Sequence, residues 1–183
     1  MSRLMEGYRC CLETLIAYCC GYEGRELTPS DLTYTLLPVE QLDRLQQQYA
    51  VEDVYPLSPM QEGMLFHSLL DGDSEHYFEQ ITYRLEGMPD MAAVEKAVNE
   101  LIRRYAILRT VFLYEGYDRP LQVVVKERKV DYYYQDVREE CLSGDKESVI
   151  RTYQQRDRAR KFDLSGDLLI RLAVLQTDRK SVV

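Results

Sequence analysis

The stretch "LLIRLAVLQ", Leu168 to Gln176, constrains the fold more than any other part of the chain. It is too short for a typical helix of its own, and it is apolar on both alternating faces. A strand of that kind lies inside a sheet with both faces covered, because either face left in water would expose apolar surface. Covering layers must come from the rest of the sequence, and helical patterns are available to supply them. Met91, Val94, Val98, Leu101 and Ile102 recur at helical spacing after Asp90, a plausible N-cap. A charged helix is predicted over roughly 145–161. Strand-like runs "LRTVFLY", "LQVVV" and "VDYYYQDV" lie between them, and Tyr77–Leu85 alternates with Ile81, Tyr83 and Leu85 on one face. Helices alternating with strands indicate a mixed α/β domain.

The N-terminal part reads differently. Leu4, Tyr8, Leu12, Leu15, Ile16 and Cys19 mark an amphipathic helix over about 3–20, closed by Gly21 and Gly24. "ELTPSDL" is turn chemistry, in which Ser30 or Asp31 can cap the segment after it. A second short helix starts near Pro38, with Val39, Leu42 and Leu45 on one side. The polar run "QQQYAVED" and the prolines of "YPLSP" then mark a boundary, so residues 1–48 are set apart from 49–183. Gln61 to Leu70 reads as a helix.

Charge and composition exclude several roles. With 31 acidic and 23 basic residues the formal charge is −8, which opposes phosphate-backbone binding. The tyrosines of "VDYYYQDV" lack interleaved basic residues, so they read as alternating strand faces and not as a stacking platform for nucleic acid. No apolar run reaches membrane-spanning length and no signal-peptide h-region is present, so a cytoplasmic location is expected. Cys10, Cys11, Cys19 and Cys20 form adjacent pairs without metal-ligand spacing. The expectation is reduced thiols, with Cys11 and Cys19 on a buried helix face.

Three strings carry a family resemblance. "VEDVYPLSPMQEGMLFHSLL", "RRYAILRTVF" (Arg103–Phe112) and "ARKFDLSGDLLIRLAVLQ" (Ala159–Gln176) stand in the order and spacing of the first core motifs of condensation domains of nonribosomal peptide synthetases. Tyr105, Ala106 and Leu168 depart from the usual histidine, acidic residue and proline. The "SPMQEGMLFHSLL" form resembles the type that accepts a D-configured donor. The first 48 residues resemble the tail of an epimerization domain.

The resemblance implies the N-terminal lobe of a chloramphenicol-acetyltransferase-like, two-lobed α/β fold. It implies amide formation between thioesters carried on the phosphopantetheine arms of partner carrier proteins, with no cofactor bound directly. Ser58, Gln61 and Arg109 fall on core-motif positions with structural roles. Arg109 matches an arginine that resembles an ion-pair partner of the aspartate in HHxxxDG, the family's catalytic motif. That motif is absent here, so Arg109 is expected to find water or another carboxylate. The chain holds two histidines, His67 and His76, which are not adjacent. The sequence therefore reads as cut short before HHxxxDG, and "TDRKSVV" does not look like the partner strand that Leu168–Gln176 calls for. Whether such a chain is an enzyme is left open, and it is expected to be inactive alone.

"HSLLDG" matches a catalytic spacing, but His67 falls within a helical pattern and inside the first core motif, so it is expected to be a decoy. The alternative function is a non-catalytic docking or linker module between parts of a synthetase. The charged run "RTYQQRDRARKFD" is a candidate carrier-docking face, with a solvated helix face preferred. A lobe without its partner is expected to self-associate through exposed apolar surface.

Overall fold

The computed structural model describes residues 3–21, 26–70, 77–178 and 181–183. Asp71-Gly72, His76 and Gly24 lie outside them. Two sheets organise the chain. The first has the order β1-β4-β3, with β1 (Val51–Pro56), β3 (Thr110–Leu113) and β4 (Leu121–Val125) all antiparallel. The second has the order β2-β7-β6-β5, with β2 (Leu85–Glu86), β5 (Asp131–Asp136), β6 (Arg171–Gln176) and β7 (Ser181–Val182). Here β5 and β6 run parallel and the remaining pairs antiparallel.

The strand expected at 168–176 begins at Arg171 and is internal, as its two apolar faces require. Leu172 and, just before the strand, Ile170 pack with buried Ile102 of α4 (Met91–Arg104) and with Val130 and Leu168. Its odd residue Leu175 packs with Val137 and Cys141, against Val149 and Tyr153 of α6 (Lys146–Ala159). Asp90 caps α4 by accepting from the Ala92 and Ala93 N–H groups at 2.9 and 3.2 Å, as its side chain predicts. Leu101, counted on the apolar face of that helix, is instead exposed. A short helix that the apolar spacing does not mark, α5 (Arg138–Ser143), lies between β5 and α6.

The tyrosines of β5 divide between the two faces. Tyr133 stacks on Tyr153 with ring centroids 5.5 Å apart, and Tyr132 packs on the α4 side. β4 is buried along its whole length. Leu121, Val123 and Val125 meet a core built from Leu27, Leu32, Leu37 and the α2 residues Leu42 and Leu45 (α2, Val39–Gln48). Val51 and Val54 of β1 enter the same core. The loop before α2 is tied to β1 through Asp53, which accepts from the Thr33 N–H and hydroxyl at 2.8 and 2.6 Å. In "ELTPSDL" the turn closes on Thr28, whose N–H and hydroxyl donate to Asp31 at 2.8 and 2.7 Å; Ser30 is not the cap.

Three expectations are corrected. Tyr77–Leu85 forms a ladder only at Leu85, because residues 77–84 have no hydrogen-bonded strand beside them. The polar tail does supply a partner strand: Val182 pairs with both Leu85 and Gln176. Finally, α1 (Arg3–Gly21) has no buried residue, and Cys11 and Cys19 are exposed with Cys10 and Cys20. Helical spacing gives that helix an apolar stripe, but nothing among the described residues buries it.

Leu42→Ala should cost about 2–5 kcal/mol, because Leu42 is fully buried in the core shared by α2 and the first sheet. Urea unfolding followed by circular dichroism should show one shifted transition. Loss of α2 alone, with the sheet unfolding at its original midpoint, would show that the two do not share a cooperative core.

Candidate functional site

The "SPMQ" string is a helix-start device. Helix α3 (Pro59–Leu70) opens with proline, whose missing N–H costs nothing in the first turn. Before it, the Ser58 N–H donates to Gln61 Oε1 at 2.9 Å and the Gln61 N–H donates to Ser58 Oγ at 3.3 Å. This reciprocal capping satisfies donors that a helix end otherwise leaves free. Gln61 also reaches across to β4. Its Nε2 donates to Gln122 Oε1 at 3.1 Å, and Gln122 Nε2 donates back at 2.9 Å. Gln122 is buried, so this amide pair satisfies a polar group that would otherwise be stranded in the sheet. Gln122 is a site residue that the motif strings do not mark, although a lone polar residue in "LQVVV" signals such a partner.

Arg109 is buried at the end of a short 3-10 turn, Ala106–Arg109. It donates to both carboxylate oxygens of Glu52, at 2.6 and 3.2 Å, and to the Val125 carbonyl at 2.9 Å. The carboxylate expected for it is therefore Glu52 on β1. Its Nε is buried without a hydrogen-bond partner. Tyr105, where the family resemblance has histidine, is exposed at the α4 C-cap.

The "FDLSGD" string forms a loop held by its own carboxylates. Asp163 Oδ1 accepts from the Ser165 N–H and hydroxyl at 2.9 and 2.7 Å, and Asp167 accepts from the Asp163 N–H at 2.9 Å. The bond from the Ser165 hydroxyl, above all, holds the Asp163 carboxyl below its usual range. Glycine suits position 166, because a Cβ there would lie 2.6 Å from Asp163 Oδ2 and would force the bonded Asp163 carboxylate to shift. The loop is anchored outward as well. The Tyr49 hydroxyl donates to the Ser165 carbonyl at 3.0 Å, Arg128 to the Gly166 carbonyl at 3.0 Å, and the Phe112 N–H to the Leu164 carbonyl at 2.8 Å.

Between α3, β3 and this loop lies a cavity of about 560 Å³. Met64, Leu65, Leu69, Phe112, Phe162 and Leu164 make it mainly apolar, with Arg158, Lys161 and Asp163 also in its lining. Its apolar lining with a few polar groups at the edge is the make-up of a binding surface. Gln61 reaches this wall. Arg109 lies elsewhere, beneath β1 and β4. His67 sits on the exposed side of α3, its ring 5.7 Å from that of Phe66. Among the described residues no cluster of three His, Cys, Asp or Glu side chains could hold a metal, and no helix is long and apolar enough to cross a membrane.

Gln61→Leu should cost about 1–3 kcal/mol by leaving Gln122 Oε1 without its donor, and adding Gln122→Leu should restore part of that loss. Additive losses in a denaturation double-mutant cycle would show that the amides are not coupled. Gly166→Ala should destabilise the chain by about 1–3 kcal/mol through the clash with Asp163. An unchanged melting temperature would show that the loop yields freely.

Comparison with known proteins places this geometry. Residues 51–183 match the family model described as "Condensation domain". The chain is 35% identical over 179 residues to bacitracin synthase 3 of Bacillus licheniformis, covering 96% of this chain and 3% of that protein. It is 44% identical over 130 residues to gramicidin S synthase 2 of Brevibacillus brevis, covering 70% and 3%. It thus spans a small fraction of these relatives. The fold is similar to the solved condensation domain from the Monacolin K polyketide synthase MokA, with a TM-score of 0.59 and 22% identity over 73% of this chain and 30% of that one.

Proposed function

The chain belongs to the condensation-domain family, and from that premise we propose that it contributes the N-terminal lobe of a domain that joins carrier-bound aminoacyl or peptidyl thioesters through amide bonds. The observation that carries this reading is the fixing of the three core-motif strings by their own hydrogen bonds, around one apolar cavity. Such a lobe positions substrates, and positioning is a large part of what the reaction needs. The substrates arrive on phosphopantetheine arms of carrier-protein domains, so the lobe itself need bind no cofactor. The adjacent histidines of HHxxxDG do not occur in this sequence.

His67 is not the base in this reading. It lies on the exposed side of α3, away from the cavity. Ser58, Gln61 and Arg109 act by holding α3 and the first sheet in place. We further assign residues 1–48 to an epimerization-like tail and 49–183 to the condensation part, of the D-donor-accepting type. The alignment with bacitracin synthase 3, over 96% of the chain, reaches into those first residues and supports a synthetase context for them. One observation favours a docking role for this N-terminal segment: the apolar side chains of α1, Leu4, Tyr8, Leu15 and Ile16 among them, are exposed.

The test is a chimaera in which residues 51–183 replace the matching region of gramicidin S synthase 2, assayed with loaded donor and acceptor carrier proteins. Amide formation is expected, and His67→Ala should leave the rate within about twofold, as for a residue away from the reacting atoms. A folded chimaera that loses turnover only on His67→Ala would overturn the assignment of His67. A folded but inactive chimaera would overturn the lobe assignment.

A further inference from the structure

Three successive backbone carbonyls of the "FDLSGD" loop are held from outside it, each by a different part of the chain. The Phe112 N–H of β3 donates to the Leu164 carbonyl at 2.8 Å. The Tyr49 hydroxyl donates to the Ser165 carbonyl at 3.0 Å, and Arg128, just past β4, donates to the Gly166 carbonyl at 3.0 Å. The N–H groups of Ser165, Gly166 and Asp167 bond within the loop, all to Asp163 through its side chain or its carbonyl. With its donors and acceptors so engaged, the backbone has a fixed placement. The residues it carries, Phe162, Asp163 and Leu164, form one wall of the cavity of about 560 Å³.

Tyr49 differs from the other two donors in where it stands. Phe112 and Arg128 belong to or follow strands of the first sheet, whereas Tyr49 ends the helix that covers that sheet. Its N–H donates to the Leu45 carbonyl at 2.7 Å, closing α2, and its carbonyl accepts from the Val51 N–H at 2.9 Å, where β1 begins. Its ring packs on the core that contains Leu42 and Leu45. The direction of its hydroxyl is fixed as well. Gln48 Nε2 donates to that oxygen at 2.9 Å, and an amide N–H can only donate, so the phenolic proton is left for Ser165. Burial above all holds the Tyr49 phenol above its usual range, against the nearby Arg128, so it stays a protonated donor.

We propose, on the reading of this cavity as a substrate-binding surface, that Tyr49 is a positioning residue: through its hydroxyl, the seating of α2 on the first sheet sets where the wall formed by Phe162, Asp163 and Leu164 stands. A shift of α2 reaches the cavity through this bond. Phenylalanine at position 49 keeps the ring in the core and removes the bond alone.

The test compares Tyr49→Phe with Thr33→Val. The latter cuts a different tie between the α2 side and the first sheet, the bond from the Thr33 hydroxyl to Asp53. In hydrogen exchange on the full chain, the amides of Ser165, Gly166 and Asp167 should exchange about tenfold faster in Tyr49→Phe and stay within about twofold of the parent in Thr33→Val. The second arm is a chimaera in which residues 26–183 replace the matching region of bacitracin synthase 3, whose alignment takes in α2. There Tyr49→Phe should raise the KM for one of the two loaded carrier proteins about fivefold, with kcat within about twofold. Loss of folded protein would lower kcat and leave KM unmoved, so a merely structural role gives the opposite pattern. Unchanged loop exchange in Tyr49→Phe, equal acceleration in Thr33→Val, or unmoved KM values for both carriers would overturn the proposal. An inactive parent chimaera would overturn the lobe assignment instead, and the exchange arm would then decide the role of Tyr49.

Discussion

A strand that is apolar on both faces cannot be left at a surface, and β6 imposes that condition on everything around it. Helix α4 must cover one face and helices α5 and α6 the other, which sets the layering of the second sheet. The same demand is met in the first sheet at β4, where every residue is buried. There the layers differ in kind. Leucines of α2 and the preceding loop cover one face, while the other holds the Gln122 amide, satisfied by Gln61 and by the Pro56 carbonyl. Apolar burial supplies most of the stabilising free energy, and the buried polar pairs determine which helix lies where.

The core-motif strings act mainly as joints. Ser58 and Gln61 start α3 and bind it to β4. Arg109 draws β1 and β4 together through Glu52 and Val125. The Asp163–Asp167 loop connects the edge of β3 to the segment leading into β6. Each joint uses charge-assisted or reciprocal bonds, stronger and more directional than single neutral ones. In the proposed role, helping to present two carrier-bound substrates to each other, rigidity of this type matters, because small misplacements of reacting atoms are costly.

Periodicity makes the element types legible, while pairing and partners are less so. α2, α3, α4, α6 and strands β3 to β6 lie close to where the sequence pattern places them, although Leu101 of α4 and most apolar residues of α3 stay exposed. α5 and β7 escape such a reading for a common reason: both are short, and both are held by contacts remote in sequence. Glu52 as partner of Arg109 has the same origin, a tertiary pairing across 57 positions of the chain. Gln122 and Gly166 are readable in principle, one as a lone amide in an apolar strand and the other as a glycine beside a turn carboxylate.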